Sequence, residues 1–536
     1  MKKNLLHLFA FCLILLASAQ GLAQTEPPPD LDDYVARALK EFEVPGLAVA
    51  VVKDGKVALA KGYGARKFGE PAPVDEQTLF GIASNTKAFT AAALAILVDE
   101  GKLSWDDPVT KHLPGFQMYD PYVTREMTVR DLLTHRSGLG LGAGDLMFFP
   151  PTTFTREEIV ARLRYIKPAT SFRSRYAYDN VLYLVAGQVV AAVSGKSWDG
   201  FIKERIFAPL GMTASNTSVK DLRPGGNFVS PHQKTEGRLQ AVPYMNIDNT
   251  APAGAINSNV AEMAKWVAVL LDEGAIHSGQ NEGGQNGNRR LFSQRQSREM
   301  WLAQTPIPAG NPPPQLSALR SNFTAYGLGW GLSDYRGYKV VSHSGGLLGM
   351  VSRVRLIPDL KLGVVVLTNQ EAGGAMEAIS HHIIDHYMKA PATDWIGGFR
   401  SFAEQRLAQA KEAEKRQSAA RNADSKPSLP LAKYAGRYND AWYGEVTIAS
   451  EDGKLVLRFS RTPGLVGDLE HWQYDTFVAR WRDRSLNADA FVTFALKPDG
   501  GIEQMKMVPV SPLTDFSFDF QDLLFTPIPG NAPGKQ

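Results

Sequence analysis

Residues 81–90 read GIASNTKAFT and run directly into the apolar stretch AAALAILVDEGKL. This pattern predicts a buried helix that begins near Ser84, so Ser84 and Lys87 lie one turn apart on the same face. Serine is a favoured residue at helix N-termini, and Ser-x-x-Lys occurs by chance about once in a chain of this size. Judged on this motif alone, helix capping by Ser84 ranks ahead of catalysis.

The position of the pair also suits chemistry. A serine at the start of a helix lies among backbone N–H groups that have no intrahelical partner, at the positive end of the helix dipole. This field disfavours a charged Lys87 and lowers its pKa, which a lysine acting as a base requires. Such a Ser84 is placed for acyl transfer, with donors at hand for an oxyanion.

The segments on either side predict the fold. Residues 31–43 have a helical pattern, and GLAVAVVKDG followed by KVALAKGYGA predicts a β-hairpin around Asp54-Gly55. Helical patterns dominate from about 84 to 270, and three β-rich runs between 337 and 369 precede a closing helix, MEAISHHIIDHYM. We therefore expect an α+β fold, in which strands from both chain ends share one antiparallel sheet flanked by helices and a large mainly helical region is inserted between them.

The rest of the chain has a different character. Residues 396–429 are charged and alanine-rich and predict a helical linker. Residues 430–530 alternate apolar and polar positions between Asp-Gly turns, in segments that include TFVARWRD and FSFDF, and predict a small all-β, barrel-like domain. The predicted catalytic domain is then 24–395.

The N-terminus has the pattern of a cleavable secretory signal over residues 1–23. Lys2 and Lys3 precede the apolar run LLHLFAFCLILLASA, and Cys12, the only cysteine, lies inside this run. We expect a periplasmic or secreted protein whose mature chain has no membrane span, disulfide or thiolate metal site. A net charge of +3 over 536 residues gives no indication of a nucleic-acid partner, and no motif predicts a cofactor.

Two further short motifs each occur twice. Tyr-x-Asn is found at 178–180, before a strongly apolar helix pattern, and at 244–246, in a loop-like stretch. His-Ser-Gly is found at 277–279, in a Gly/Asn-rich loop, and at 343–345, at the end of a predicted strand. Catalytic geometry needs rigid support, so we favour the copy next to a regular element in each pair.

The order Ser84-x-x-Lys87, Tyr178-x-Asn180, His343-Ser344-Gly345 resembles that of the penicillin-binding-protein and serine β-lactamase superfamily. Within it, the chain resembles the class C β-lactamase-related serine hydrolases over about residues 30–390, with support from APLGM, YGLGWG and HSGGLLGMVS. The tail resembles the lipocalin-like β-domain that is often appended to this family.

The resemblance implies a role for each matched residue. Ser84 would be the nucleophile that forms an acyl-enzyme, and Lys87 and Tyr178 would share general-base and general-acid duties. Asn180 would hold Lys87 and the substrate amide. The strand from His343 through Ser344 and Gly345 to Gly346 would form one wall of the site. The backbone N–H groups of Ser84 and Gly346 would form the oxyanion hole.

Two residues depart from the usual pattern of this superfamily. His343 stands where a lysine is usual, which weakens the expected binding of substrate carboxylates because histidine is mostly neutral near pH 7. We also hypothesise that His343 titrates in the working range and shapes the pH–rate profile. Asp179 replaces a small residue, and it either raises the pKa of Tyr178 or Lys87 or points to solvent, the arrangement that we favour.

Other candidate residues have structural interpretations. His382 and His386, with His381 and Asp385, form a cluster at metal-binding spacing, but no third ligand is visible and we predict no metal site. His135 is predicted to be a structural buried residue. Trp330 is as compatible with the core as with a substrate groove.

Taken together, these features predict a hydrolase of peptide-like amides, including D-residue or unusual peptides, that works without a cofactor. The alternatives are an esterase or weak β-lactamase that uses the same site, and a penicillin-binding-type protein that is acylated with little turnover. A non-catalytic peptide-binding module is a further alternative, but it would have no need of Lys87 and Tyr178. The sequence gives no indication of the oligomeric state.

Overall fold

A computed structural model describes residues 25–276 and 289–529. The predicted signal segment at 1–23, Gln24 after it and the His-Ser-Gly copy at 277–279 fall outside the described residues.

The centre of the catalytic region is an antiparallel sheet of eight strands in the order β2-β1-β12-β11-β10-β9-β8-β7. Strands from both ends of this region share the sheet, as predicted. Three strands, β7, β8 and β9, come in addition to the three β-rich runs predicted at its end. The strands are β1 (Gly46–Lys53), β2 (Lys56–Gly64), β7 (Thr305–Ile307), β8 (Thr324–Tyr326), β9 (Gly331–Tyr335), β10 (Tyr338–Leu347), β11 (Met350–Ile357) and β12 (Leu362–Thr368).

The predicted hairpin joins β1 and β2, and its turn residues Asp54 and Gly55 both have positive φ. β1 also pairs with β12 over seven residue pairs, from Leu47–Thr368 to Lys53–Leu362, which joins the two ends of the catalytic region. Successive side chains of β1 enter two different cores, since a strand alternates its faces. This position between two helical layers explains why β1 is apolar throughout.

Helices cover both faces of the sheet. The first helix, the closing helix and the start of the linker helix pack on one face, and the helix after Ser84 lies in the core on the other face, with two further long helices. In chain order, the helices are α1 (Leu31–Phe42), α2 (Thr86–Asp99), α3 (Val109–His112), α4 (Pro121–Glu126), α5 (Arg156–Arg162), α6 (Val181–Ser194), α7 (Trp198–Ile202), α8 (Ala208–Leu210), α9 (Ala251–Gly254), α10 (Val260–Leu271), α11 (Gln294–Met300), α12 (Gly373–Met388) and α13 (Trp395–Ala419).

The region from 84 to 270 is less helical than predicted. Its long helices are α2, α6 and α10, and between them lie short helices, 3-10 turns and loops. Two small two-stranded sheets are also present, one joining β3 (Phe80–Gly81) to β6 (Asn257–Ser258) and one joining β4 (His232–Thr235) to β5 (Arg238–Ala241). The apolar residues of these loops fill a single large core, so hydrophobicity here reflects burial and not helical periodicity.

The C-terminal region is an eight-stranded antiparallel barrel that is nearly closed, which confirms the prediction of an all-β, barrel-like domain. Its two edge strands meet where Met505 bridges to Phe525. FSFDF, at 516–520, is not a strand but a loop that ends in a 3-10 turn. The strands are β13 (Gly436–Asp440), β14 (Gly444–Glu451), β15 (Lys454–Phe459), β16 (Val466–Gln473), β17 (Thr476–Trp481), β18 (Ala490–Leu496), β19 (Ile502–Pro509) and β20 (Thr526–Pro527).

Helix α13 spans most of the predicted linker. Its first turn is buried through Trp395, Ile396 and Phe399, and nearly all of the remainder is exposed. The barrel is in direct contact with the catalytic region. The guanidinium of Arg162 donates to the Trp442 carbonyl oxygen at 2.8 Å, and Phe149 packs edge-on against Phe518 with ring centroids 5.2 Å apart. The domain boundaries themselves stay a prediction.

Among the described residues, no individual helix has both the length and the apolar character needed to cross a membrane. One sharply bent pair, Val181–Ser194 with Trp198–Leu210, meets those two criteria in combination. Helix α6, the first member of this pair, is largely buried in the protein core.

Candidate active site

Ser84 lies in a single 3-10 turn, Ala83–Asn85, immediately before α2. The turn is anchored where the Ile82 N–H donates to the Ile256 carbonyl oxygen at 2.9 Å, and Ala83 has a left-handed φ of 48°. No side chain caps either helical segment, so the prediction that Ser84 is a helix cap is wrong. Its hydroxyl is instead engaged by the side chain of Lys87.

Lys87 is fully buried, and its ammonium group makes three hydrogen bonds. The Nζ atom lies 3.1 Å from Ser84 Oγ, 2.7 Å from Asn180 Oδ1 and 3.0 Å from the Ala253 carbonyl oxygen. Burial lowers the pKa of Lys87 to about 7, although the Asp145 and Asp179 carboxylates act in the opposite direction. A substantial fraction of Lys87 is therefore a neutral amine near pH 7.

Tyr178 and Asn180 flank the same amine from the start of α6. Lys87 Nζ lies 4.8 Å from the centre of the Tyr178 ring. Burial raises the pKa of Tyr178 well above its ordinary value, while a hydrogen bond with the Ser84 hydroxyl acts in the opposite direction. Asn180 Nδ2 donates to Asp145 Oδ2 at 2.8 Å, which orients the amide so that its oxygen faces Lys87.

Strand β10 forms the wall opposite these groups. A Cβ atom at Gly345 would lie 2.3 Å from the Ile82 carbonyl oxygen and 2.8 Å from Ala83 Cβ, so only glycine lets the strand approach the Ser84 turn this closely. Ser344 and Gly346 face the cavity, and a Cβ atom at Gly346 would meet nothing within 4 Å.

His343 is held as a neutral ring. The Tyr326 hydroxyl lies 2.7 Å from Nε2, and Nδ1 lies 2.6 Å from the Ser344 carbonyl oxygen, so Nδ1 carries the proton and Nε2 accepts. Burial lowers the pKa of His343 to about 3, and the Lys87 charge acts in the same direction. The hypothesis that His343 titrates in the working range is therefore wrong.

Asp179 does not point to solvent, which corrects the arrangement that we favoured. It is fully buried, with a carboxylate oxygen 3.4 Å from Ser137 Oγ and 3.9 Å from His135 Nδ1. Its charge raises the pKa of Lys87, as in the alternative that the sequence left open. His135 is buried against the Tyr178 ring and Tyr326, in agreement with its predicted structural role.

The predicted site residues Ser84, Tyr178, Asn180, His343, Ser344 and Gly346 line one cavity of about 400 Å³, with Lys87 and Gly345 behind its surface. Sequence reasoning missed one wall, which the loop at 511–519 of the barrel contributes from more than 160 residues beyond His343 in the chain. No local motif marks this loop. The further lining residues include Phe148, Phe149, Tyr176, Tyr326, Arg353, Asp515, Phe516 and Ser517.

The histidine cluster on α12 has other partners. His382 stacks on Tyr34 with ring centroids 3.8 Å apart, and His381 packs on Trp395 at 4.8 Å. Asp385 accepts hydrogen bonds from Tyr335 and Trp395. No group of three or more metal-ligating side chains is found in the described part of the chain. Trp330 is buried in the core and does not line the cavity.

This arrangement suits acyl transfer. A serine hydroxyl lies next to a buried amine whose pKa is about 7 and next to a phenol that keeps its proton at neutral pH. Ser84 and Gly346, whose backbone N–H groups are the expected donors for a developing oxyanion, both line the cavity.

A protein-family model described as Beta-lactamase matches residues 31–387. The chain belongs to the β-lactamase family. It is accordingly a serine hydrolase, with the family's α+β fold. A second model, described as a domain of unknown function (DUF3471), matches residues 420–527, which include the barrel.

Two fungal relatives extend this β-lactamase family match over most of the chain. Unguisins hydrolase ungD' of Aspergillus campestris is 30% identical over 81% of this chain and 79% of its own length. Unguisins hydrolase ungD of Aspergillus violaceofuscus is 29% identical over 90% and 88%. The structure of the octameric penicillin-binding protein homologue from Pyrococcus abyssi shares the fold, with a TM-score of 0.59 and 22% identity over 92% of this chain and 99% of that chain.

Proposed function

We propose that this serine hydrolase cleaves peptide-like amide bonds through an acyl-enzyme on Ser84. The observation that carries the proposal is the 3.1 Å contact between Ser84 Oγ and the buried Lys87 amine, whose pKa is about 7. The signal-like pattern of residues 1–23 supports export to the periplasm or the medium as part of the same proposal.

In the acylation step, neutral Lys87 takes the Ser84 proton as Oγ attacks the substrate carbonyl carbon. Its two N–H groups stay bonded to Asn180 Oδ1 and the Ala253 carbonyl oxygen, which keeps the lone pair directed at Oγ. The oxyanion forms near the backbone N–H groups of Ser84 and Gly346.

The way in which the tetrahedral intermediate collapses is the reason why we propose amides ahead of esters as substrates. An amine leaves only when its nitrogen is protonated, and Tyr178 keeps its proton at neutral pH because burial raises its pKa. Tyr178 donates to the leaving nitrogen and then recovers a proton from the Lys87 ammonium. Water repeats the sequence on the Ser84 ester, which releases the acid and restores both groups.

The cavity favours neutral, partly aromatic substrates over β-lactams. Phe148, Phe149 and Phe516 supply apolar surface, and His343 is neutral where a lysine would hold a carboxylate. The guanidinium of Arg353, which also reaches the cavity, is paired with Glu377. Two relatives are named unguisins hydrolases, which makes unguisins the first natural compounds to test on this chain.

The test is kcat/KM on one matched panel: a D-alanyl amide, an L-peptide amide, a short-chain aryl ester, a chromogenic cephalosporin and an unguisin. The Ser84→Ala protein runs beside it as the blank. We expect turnover of amides and no activity in the variant. Turnover of the ester alone would replace the proposal with an esterase, and activity retained by Ser84→Ala would end it.

The fate of the acyl group distinguishes a hydrolase from a penicillin-binding-type protein that is acylated with little turnover. If substrate left a lasting mass increase on Ser84 without release of the acid, the chain would be an acylated binder and not a hydrolase of that substrate. We expect the mass increase to disappear within the time of one turnover.

A further inference from the structure

The barrel reaches the catalytic lysine through hydrogen bonds. Ser517 Oγ, in the 511–519 loop, donates to Asp145 Oδ2 at 2.8 Å. The same oxygen accepts from Asn180 Nδ2 at 2.8 Å, and Asn180 Oδ1 accepts from Lys87 Nζ at 2.7 Å. An unbroken chain of three hydrogen bonds thus joins the barrel to the amine beside Ser84.

Every member of this chain is buried. Asp145 and Lys87 have no exposed surface, and Ser517 and Asn180 are nearly as shielded. A buried carboxylate needs donors, and for Asp145 Oδ2 these are Asn180 and Ser517. Asp145 Oδ1 has no hydrogen-bond partner among the described residues, so the loss of either donor leaves the group poorly satisfied.

The backbone around Asp145 is held by the same loop. Asp519 accepts hydrogen bonds from the Gly144 N–H at 2.6 Å and the Leu146 N–H at 3.1 Å, on either side of Asp145. Phe516 packs edge-on against the Tyr178 ring with centroids 5.9 Å apart. The loop therefore contacts the general-acid side of the site as well as the lysine side.

We propose that Ser517 is a positioning residue for catalysis, which acts through Asp145 and Asn180 to hold the Lys87 amine against Ser84. The barrel then contributes a working part of the site instead of serving as a separate ligand-binding module. An asparagine amide has two orientations that differ by a half-turn, and only the one fixed by Asp145 presents oxygen to Lys87. Without Ser517, Asp145 is free to turn or to take up a proton, and Asn180 loses its fixed partner.

The inference rests on the proposed Ser84 and Lys87 chemistry but on no particular substrate. The assay is therefore the rate at which a fluorophosphonate ester labels Ser84 in the full chain, with fluoride as the leaving group. If wild-type Ser84 is not labelled and no panel substrate turns over, the proposed function fails whatever Ser517 does.

Variants of the 511–519 loop form the first part of the test. Ser517→Ala removes the hydroxyl, Ser517→Thr keeps it, and Ser511→Ala makes the same change at a partly exposed serine of the same loop. If Ser517→Ala does not fold, Ser517→Cys keeps a side chain of the same shape and slightly larger size, with a much weaker donor. The melting temperature of each protein separates loss of packing from loss of positioning.

At pH 7 we expect Ser517→Ala to label about tenfold more slowly, in keeping with the loss of one hydrogen bond to a charged group. Ser517→Thr should recover the rate, and Ser511→Ala should match the wild type. The Ser517→Ala change should have no further effect in the Asp145→Ala protein, which has no side-chain acceptor for the Ser517 hydroxyl, because Ser517 acts through Asp145.

The pH profile of labelling is the readout that a purely structural contact would not move. The groups that face the Lys87 amine are Asp145, Asp179, Tyr178, Tyr183, His135 and His343. Asp515 and Asp519 face Asp145. Burial raises the pKa of Asp145 well above its ordinary value, and the Ser517 hydrogen bond acts in the opposite direction. Without this hydrogen bond Asp145 protonates still more readily and withdraws the charge that raises the pKa of Lys87. The inflection should move to lower pH.

Labelling of Ser517→Ala within twofold of the wild type, or with an unmoved inflection, would overturn the proposal. An equal loss of rate in the Asp145→Ala background would overturn it as well, because Ser517 would then act by another route.

Discussion

Lys87 combines two properties that set the pH dependence of the enzyme. It is wholly buried, and its pKa is about 7, so the base is the neutral form that exists above this pH. We predict that kcat/KM rises through about pH 7 and falls about tenfold per unit at lower pH. Steady-state kinetics from pH 5.5 to 9 measure this directly. A profile that is flat across this range would mean that Lys87 is not the base.

The matched variant is Lys87→Arg, which keeps a cation but loses the removable proton because guanidinium does not deprotonate at these pH values. It should be inactive at every pH. Activity in this variant above pH 8 would contradict the assignment of the base.

At the scale of single residues, the sequence predicted the site where roles follow from spacing. Ser84, Lys87, Tyr178 and Asn180 meet at one cavity because their motifs begin helices that converge there. Burial, in contrast, is a property of the whole fold. The sequence could not show that Asp179 is enclosed, nor that His343 is held neutral by Tyr326 from another strand.

Among the elements, the close approach of β10 to the Ser84 turn sets the width of the site. In Gly345→Ala, the new methyl group would lie 2.3 Å from the Ile82 carbonyl oxygen, so strand or turn must shift. We predict a loss of kcat/KM of about a hundredfold, since displacement of catalytic groups by about 1 Å has effects of this size. The measurement is kcat/KM together with the melting temperature.

Gly373→Ala is the control for this substitution, because a Cβ atom there would meet nothing within 4 Å. This change should leave kcat/KM within twofold of the wild type. If Gly345→Ala behaved like Gly373→Ala, the close approach of Gly345 to the Ile82 carbonyl oxygen would not fix the position of β10.

The regular elements differed in how well they could be predicted. The strands β1, β10, β11 and β12 and the hairpin turn at Asp54-Gly55 followed from alternation and turn residues, which are local signals. FSFDF alternates apolar and polar residues as a strand does, but the reason is different. Phe518 and Phe520 enter the core and Phe516 faces the catalytic cavity, while Ser517 and Asp519 make hydrogen bonds to the catalytic region. Alternation shows that successive residues lie in different surroundings, but it does not show that they form a strand of a sheet.

Taken as a whole, the molecule joins its two regions through a buried interface. Phe518 of the barrel loop is 1% exposed and packs on Phe149, and Asp519 bonds to the backbone around Asp145. We predict that barrel and catalytic region unfold in one thermal transition. Phe518→Ala should destabilise both by about 3 kcal/mol, the range for a buried aromatic truncation.

Calorimetry of the full chain makes this measurement, with Phe323→Ala as the control at a site where the side chain is 46% exposed. The control should melt within a degree or two of the wild type. Two separate transitions, with only one moved by Phe518→Ala, would show that the regions are independent.

The central claim is that Ser84 carries the acyl group. The most direct measurement mixes the full chain with a short-chain aryl ester, quenches it in acid within the first turnover and maps the modified peptide by mass spectrometry. We predict a mass increase equal to the acyl group on Ser84, and none in Ser84→Ala. An acyl group on another residue, or turnover without any covalent species in the wild type and unimpaired in Ser84→Ala, would contradict the claim.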